Sequence, residues 1–209
     1  LETDQILEQR IASAIKETTA PKTRGSDFLD ALAAGIAAPG GGSAAAYAGA
    51  AGAALVAMVA RLTIGKKKYA QVEAEMQAIL SQAEALRAEL TDAIREDTDA
   101  FEAVMAACKL PKDDQQQQAK RKREIEAATL AAAKVPLTVA RKALQVIELA
   151  LVAVTRGNLN AISDGASGAA LARAALNSAG YNVLINVSSL DTAPEGQALL
   201  VSLREIEMR

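Results

Sequence analysis

The sequence predicts an all-α fold, an elongated bundle of several helices. Its apolar residues make up 51% of the chain and are mostly Ala, Leu, Val and Ile. Strong helix formers such as Ala, Leu, Glu, Gln, Lys and Arg recur throughout. Only 2% of the residues are aromatic and Trp is absent. This composition favours helices that pack at short distance over a sheet protein.

The chain begins with two predicted helices. Residues 4–19 form an amphipathic segment that ends before a loop rich in Thr, Pro and Gly. Ser26 can cap the next helix, which is expected to stop at Gly35 or soon after. The polar start predicts no signal peptide.

A long uncharged stretch, residues 31–60, raises the question of a membrane span. Ala and Gly contribute little to membrane insertion, and Pro39–Gly42 interrupts the run. We therefore expect a central helix buried on most sides, because small residues let a neighbouring backbone approach closely. Ser43 is its expected N-cap, and Gly65 is expected to break it after Thr63.

Two long helices are predicted next. The pattern of residues 67–109 is helical up to the turn KLPKDDQQQQ, and residues 115–156 are helical with an expected kink at Pro136. A further helix is predicted to end at Gly180.

The C-terminal region is less regular in pattern. Residues 181–190, YNVLINVSSL, fit either a short strand or a helix by composition. The segment DTAPEG, residues 191–196, predicts a turn. The residues after it predict one more amphipathic helix. We find no linker or internal repeat, so a single domain over residues 1–209 is expected.

Composition also excludes several kinds of function. The net charge of −2 makes nucleic acid an unexpected partner. The chain has no His, so neither a triad with a histidine base nor a His-ligated metal site can form, and no metal is expected. Cys108 is the single cysteine, which suits the cytoplasm, and we expect it to be a small buried residue near a helix end.

One carboxylate falls on an apolar stripe. Asp97 lies between Ile94 and Phe101 on the side predicted to face the core, whereas Asp99 should face away. A buried carboxylate costs free energy unless it is paired or hydrogen-bonded. Asp97 is therefore either a structural salt bridge or cap, or part of a site. The stripe comprises Met76, Leu80, Ala83, Leu86, Leu90, Ile94, Asp97, Phe101, Val104 and Cys108.

Asp164 presents the same alternatives. It follows Asn158, Asn160 and Ser163 across a predicted helix start. It is either a first-turn acid favoured by the helix dipole or a site residue.

The turn PGGGS and the run GKKKY lie at the two ends of the small-residue helix. PGGGS offers free backbone N–H groups and a hydroxyl, and it is either a tight turn or a cradle for a polar ligand. It matches neither a P-loop nor a dinucleotide fingerprint. GKKKY, with Arg61 one turn earlier, is either a solvated basic end or an anchor for an anionic ligand tail.

Taken in order, the segments APGGGSAAA, MVARLTIGKKKY, EDTDAFEAVM, KLPK, AAKVPL and GNLNAISDGASGAAL…NVLIN resemble the cyclodeaminase family. This family comprises the cyclodeaminase half of formiminotransferase-cyclodeaminase and stand-alone methenyltetrahydrofolate cyclohydrolases. The resemblance covers residues 27–191, so residues 1–25 look like an N-terminal helical extension. It implies an all-helical homodimer that binds a tetrahydrofolate derivative between helices near the subunit interface, and it favours helix for residues 181–190.

The resemblance implies one of two reactions. In one, 5-formiminotetrahydrofolate cyclises to 5,10-methenyltetrahydrofolate and ammonia leaves. In the other, water opens 5,10-methenyltetrahydrofolate to 10-formyltetrahydrofolate. Neither needs a metal or a cofactor beyond the tetrahydrofolate substrate. A non-catalytic helical dimer that binds folate or a partner protein is the alternative.

Site roles follow from the same resemblance. Asp97 is expected to transfer protons, and Asp164 to orient the folate or stabilise its cation. Lysines are suited to a flexible glutamate tail, which can be polyglutamylated. The expected substrate-binding residues are Pro39, Gly40, Gly41, Gly42, Ser43, Thr63, Lys66, Lys67 (or Lys68) and Asn160.

Overall fold

The structure is a computed structural model that describes residues 24–190 and 194–209. The chain divides into two compact units, Leu1–Ile36 and Ala37–Arg209. The helix predicted over residues 4–19 lies outside the described residues.

Helix α1, Arg24–Ala33, is the described helix of the first unit. It begins two residues before Ser26, so the prediction that Ser26 caps this helix is wrong. It ends before Gly35, close to the expected position.

The described part of the second unit contains helices and no strand, which confirms the all-α fold. Its long helices are connected by short turns, two of which contain a 3₁₀ helix. In chain order the elements are α2 (Gly41–Thr63), a 3₁₀ helix (Lys67–Val72), α3 (Glu73–Cys108), α4 (Gln115–Arg156), a second 3₁₀ helix (Leu159–Ala161), α5 (Ile162–Ser188) and α6 (Pro194–Glu207).

Helices α2 to α5 form a four-helix bundle. Helix α2 packs against α3 and α5, helix α4 packs against the same two neighbours from the other side, and α6 covers α4 and α5. Because short turns connect them, consecutive helices run antiparallel. Helix α4 has 42 residues and therefore extends over about 63 Å.

Small residues let α2 and α5 pack backbone against backbone. A Cβ added at Gly52 would lie 2.8 Å from the carbonyl oxygen of Gly168, and one at Gly168 would lie 3.0 Å from that of Gly52. Helix α2 is long and apolar enough to cross a membrane, but 56% of its most apolar window is buried inside the bundle. The prediction of a central packing helix is thus confirmed.

Two predicted boundaries on the later helices are wrong. Helix α5 continues through Gly180 to Ser188, as the family resemblance implied and as composition left open. Gly180 lies inside α5 and faces α6, since a Cβ added there would lie 3.2 Å from Glu207 Oε1 and 3.6 Å from Leu203 Cδ1. Residues 191–193 lie outside the described part of the chain, and Pro194–Gly196 form the first turn of α6, not a turn before it.

The start of α2 also differs from the prediction. The N-cap is Gly40, and Ser43 is the third residue of the helix. Ser43 is fully buried and its hydroxyl points to α3 rather than to the backbone of its own first turn. The expected helix end holds: α2 ends at Thr63, and Gly65 has a positive φ of 77°.

Candidate active site

A cavity of about 400 Å³ lies where α2 begins. Helices α3, α4 and α5 continue beyond the first turn of α2. At this level only three of the four bundle helices surround the bundle axis, and the position of the fourth is left open as the cavity. The segment that precedes α2 closes one side. The lining residues are Ala37, Ala38, Gly40, Gly41, Gly42, Asp97, Phe101, Val104, Cys108, Ile125, Thr129, Ala132, Asn182, Asn186 and Ser189.

Asp97 contacts the first turn of α2 directly. Ser43 Oγ donates a hydrogen bond to Asp97 Oδ2 at 2.8 Å and also lies 3.2 Å from the carbonyl oxygen of Ile94. Gly42 leaves room for the carboxylate, because a Cβ there would lie 2.6 Å from Asp97 Cγ. The buried stripe of α3 therefore leaves the core and enters the cavity at Asp97. Asp99 faces away as predicted, with 66% of its side chain exposed.

The electrostatics of the cavity are dominated by this carboxylate. Asp97 is the only Asp, Glu, Lys or Arg among the lining residues. It lies at the N-terminus of a 23-residue helix, whose dipole and unpaired N–H groups favour negative charge. The cavity thus combines a fixed anion with backbone donors, which suits a ligand carrying a positive centre and polar edges.

Eleven of the fifteen lining residues were not among the predicted site residues. Thr129, Asn182 and Asn186 place polar groups on the α4 and α5 walls. Asn182 and Asn186 could have been noticed as an i, i+4 pair of amides in an otherwise apolar segment. Cys108 ends α3 as expected, but it is half-buried and lines the cavity, so the prediction of a buried core residue is wrong.

At the other end of α2, Thr63 and Asn158 form a structural joint. Thr63 is 1% exposed, and its hydroxyl donates to the carbonyl of Val59 (2.7 Å) and accepts from the N–H of Asn158 (2.9 Å). Asn158 also donates to the carbonyl of Leu62 and accepts from the N–H of Asn160. These bonds satisfy the Thr63 hydroxyl without a ligand. The Asn160 side chain is exposed to solvent.

The lysines lie on the surface near this joint. Lys66, Lys67 and Lys68 are all exposed, and Lys68 stacks over the Tyr69 ring with its Nζ 5.4 Å from the centroid. Tyr69 accepts a hydrogen bond from the N–H of Leu159 at 3.1 Å, which connects the basic segment to the 3₁₀ helix that precedes α5.

Arg61 does not add free charge to this group. It forms an ion pair with Glu84 at 2.8 Å. Hydrogen bonds from Arg87 and from Arg61 hold the pKa of the Glu84 carboxyl below its usual value.

The predicted site residues therefore divide between the two ends of α2. Pro39–Ser43 and Asp97 lie at its start, while Thr63, Lys66, Lys67 and Asn160 lie at its end. Asp164, half-buried in the first turn of α5, also lies at the second end. From Gly42 to Thr63 the helix axis rises about 30 Å, so one chain does not bring the two groups together.

Comparison with known proteins assigns the chain to a family. The family model described as formiminotransferase-cyclodeaminase matches residues 25–199, which include α2 to α5 and the cavity. The chain belongs to the formiminotransferase-cyclodeaminase family. The resemblance drawn from the sequence motifs is confirmed.

Individual members of the family include both enzyme types. A methenyltetrahydrofolate cyclohydrolase of Methylorubrum extorquens is 48% identical over 164 residues, which cover 78% of this chain and 79% of that protein. The formimidoyltransferase-cyclodeaminase of Mus musculus is 30% identical over 187 residues, and this chain spans 35% of its length. A crystal structure of a formiminotetrahydrofolate cyclodeaminase from Thermotoga maritima superimposes with a TM-score of 0.79 at 33% identity, covering 88% of this chain and 87% of that one.

Proposed function

We propose that this chain is an enzyme of folate one-carbon metabolism that acts on the carbon held between N5 and N10 of tetrahydrofolate. The observation that carries the proposal is the single carboxylate of Asp97 in a small cavity, held against the start of α2. Family membership supplies the substrate class. A volume of about 400 Å³ lies within the usual range of small-molecule sites.

Asp97 can serve both steps of the hydrolytic reaction. The methenyl carbon is cationic, and the carboxylate stabilises it in the ground state and accepts a proton from the attacking water. As the bond from carbon to N5 breaks, Asp97 returns the proton it took from water to N5, and the hydroxyl of the carbinolamine loses its proton to solvent while the C=O forms. One proton is released overall.

The deaminating reaction uses the same group. N10 attacks the formimino carbon on N5, and the tetrahedral intermediate then expels ammonia. Asp97 would take the proton from N10 and supply one to the departing nitrogen. The N–H groups of Gly40 to Ser43 would hold polar edges of the ligand. Both reactions consist of additions and proton transfers at an electrophilic carbon, so we propose no cofactor beyond the folate.

Hydrolysis of the methenyl group is the favoured reaction. The cyclohydrolase of Methylorubrum extorquens matches this chain at 48% identity over most of both lengths, whereas the formimidoyltransferase-cyclodeaminase of Mus musculus matches at 30%. Cyclodeamination of 5-formiminotetrahydrofolate is the alternative reaction, because the structure of the Thermotoga maritima cyclodeaminase matches this chain at 33% identity.

An absorbance assay of the methenyl chromophore decides between them. Accelerated loss from 5,10-methenyltetrahydrofolate identifies a cyclohydrolase. Appearance from 5-formiminotetrahydrofolate, with ammonia release, identifies a cyclodeaminase. Tight folate binding without either change would show the non-catalytic binding protein and would contradict the proposal.

We also propose that two copies of the chain complete each site. Helix α5 has 27 residues and only two charges, Asp164 and Arg173, yet it exposes several large apolar side chains. An exposed apolar face of this length is typical of an interface. The exposed residues are Ile162 (43%), Leu171 (36%), Tyr181 (70%), Leu184 (48%) and Ile185 (62%).

A two-fold pairing on this face would reunite the predicted site residues. Helix α5 runs from Asp164 at the lysine end to Asn182 and Asn186 at the cavity end. In an antiparallel pair, the start of one α5 lies beside the end of the other. Lys66, Lys67 and Asp164 of one copy would then approach the cavity of its partner, where they can meet the glutamate tail.

Mixed dimers test this composite site. We expect Asp97→Asn and Asp164→Asn each to be nearly inactive alone. A heterodimer of the two, purified through two different tags, has one doubly substituted site and one intact site, so it should regain about half of wild-type activity. A heterodimer that stays as inactive as its parents, or a fully active Asp164→Asn homodimer, would contradict the composite site.

A further inference from the structure

The hydroxyl of Thr129 has no partner inside the described part of the chain. Thr129 lies on α4, is only 6% exposed and lines the cavity. Threonines inside helices usually satisfy the hydroxyl with the carbonyl one turn earlier. Here the other threonines in the described α-helices all do so, each donating to residue i−4: Thr63, Thr91, Thr98, Thr138 and Thr155. Thr129 is the exception, and its hydroxyl is available to a molecule in the cavity.

Two asparagines on the facing wall, Asn182 and Asn186, also line the cavity with side-chain amides. The Nδ2 of Asn182 donates to the carbonyl of Ser178 at 2.8 Å, and the Nδ2 of Asn186 donates to that of Ala132 at 3.3 Å. Because a carbonyl oxygen only accepts, these bonds identify which amide atom is the nitrogen, and each amide keeps its Oδ1 and one N–H for a ligand. Neither Oδ1 accepts a hydrogen bond within the described residues.

The three polar groups are neighbours and lie near Asp97. Ala132, the partner of Asn186, is one turn along α4 from Thr129. Asn182 lies beside the first turn of α2, with its Nδ2 3.3 Å from a Cβ placed on Gly41. Phe101 and Ile125, which are apolar, line the space between the walls. The cavity thus offers apolar walls with one unpaired hydroxyl and two side-chain amides.

We propose that Thr129, Asn182 and Asn186 bind the pyrimidine edge of the substrate's pterin ring and so orient the one-carbon group toward Asp97. That edge carries the 2-amino group and ring N–H donors, which match the two amide oxygens, and acceptors that can take the threonine proton. The inference rests on the proposed folate substrate. It adds that α4 and α5 contribute to recognition of the ring, beside the N–H groups of the glycine turn.

Thr129→Val is the first variant to measure. It removes the hydroxyl with little change in shape. We expect KM for 5,10-methenyltetrahydrofolate to rise about tenfold, the effect of one lost hydrogen bond, and kcat to change little. The free energy of unfolding without ligand should not fall, because the hydroxyl makes no internal bond to lose.

Thr138→Val is the matched control on the same helix. Thr138 is exposed and its hydroxyl donates to the carbonyl of Lys134. Its kinetic constants should equal those of the wild type.

Asn186→Leu tests the donor match, with Asn186 Oδ1 assigned to the 2-amino group and Asn182 Oδ1 to the ring N–H. With a substrate analogue that carries a methyl group in place of the 2-amino group, the wild type should lose about tenfold or more in kcat/KM. Asn186→Leu should have nearly the same kcat/KM for the two substrates. Equilibrium binding gives a readout independent of turnover. The wild type and Asn186→Leu are compared for their affinity for 5-formyltetrahydrofolate and for the analogue of it that carries a methyl group in place of the 2-amino group.

The outcomes separate the two proposals. An active wild type whose Thr129→Val variant keeps its KM and whose Asn186→Leu variant keeps full discrimination would overturn the pterin assignment alone. A wild type that neither binds nor converts either folate would overturn the proposed function and this assignment with it.

Discussion

Replacing Asp97 with Asn should nearly abolish turnover. Asn keeps the shape of the side chain and can still accept from Ser43 Oγ, so the fold and the cavity should persist. It cannot accept a proton from water or N10, and it removes the only acidic charge among the lining residues. Loss of general acid–base catalysis predicts a fall in kcat of about 10²–10⁴-fold, measured from the methenyl absorbance.

Asp99→Asn is the control for this substitution. Asp99 lies two residues along the same helix, is 66% exposed and has only a weak contact with Arg95 at 3.9 Å. Exposed pairs of this kind contribute little to stability. Its activity should match the wild type. An Asp97→Asn variant with full turnover and an unchanged pH profile would contradict the assigned role.

Introducing a single methyl group by Gly42→Ala should have an effect of similar size. The added Cβ would lie 2.6 Å from Cγ and 2.8 Å from Oδ2 of Asp97, closer than real Cβ atoms approach other atoms. The carboxylate must therefore turn away, and the hydrogen bond from Ser43 is broken. Because Ala is favoured over Gly inside a helix by about 1 kcal/mol, stability should change much less than activity.

Two comparisons make the Gly42→Ala result interpretable. Gly35→Ala places a methyl group in open space and should leave kcat unchanged. The double variant of Gly42→Ala and Asp97→Asn should be no less active than Asp97→Asn alone, since both act through one carboxylate. Additive losses in kcat would show that Gly42 acts by another route.

The sequence predicted the helices well because periodicity and breakers act locally. Asp97 was identified from the stripe of α3, and Asp99 was correctly placed on the opposite face. Ser43 was misassigned as a cap because capping propensity cannot show that a carboxylate from another helix competes for its hydroxyl. Gly180 was misread as a helix end because packing against α6 is not visible in the local pattern.

PGGGS and GKKKY were predicted at opposite ends of one helix, but it was not predicted that Asp97 and Asp164 lie at opposite ends as well. The signal for this separation is in the helix lengths. Asp97 lies 24 residues into α3, about the length of the antiparallel α2, so it returns to the start of α2. Asp164 lies in the first turn of α5. Because α4 runs antiparallel to α3, α5 begins near the C-terminal end of α2, at the opposite end of the bundle from Asp97. No local sequence pattern marks Thr129 as a site residue. Its role depends on the cavity, which forms only where α3, α4 and α5 extend beyond the start of α2.

A crystal structure with 5-formyltetrahydrofolate tests the central claim most directly. This stable folate carries a one-carbon group on N5. We predict that the pterin ring lies in the cavity between α4 and α5, with the formyl group within hydrogen-bonding distance of Asp97, about 3 Å. A folate bound instead at Lys66, Asn160 and Asp164, with the cavity beside Asp97 empty, would contradict this placement.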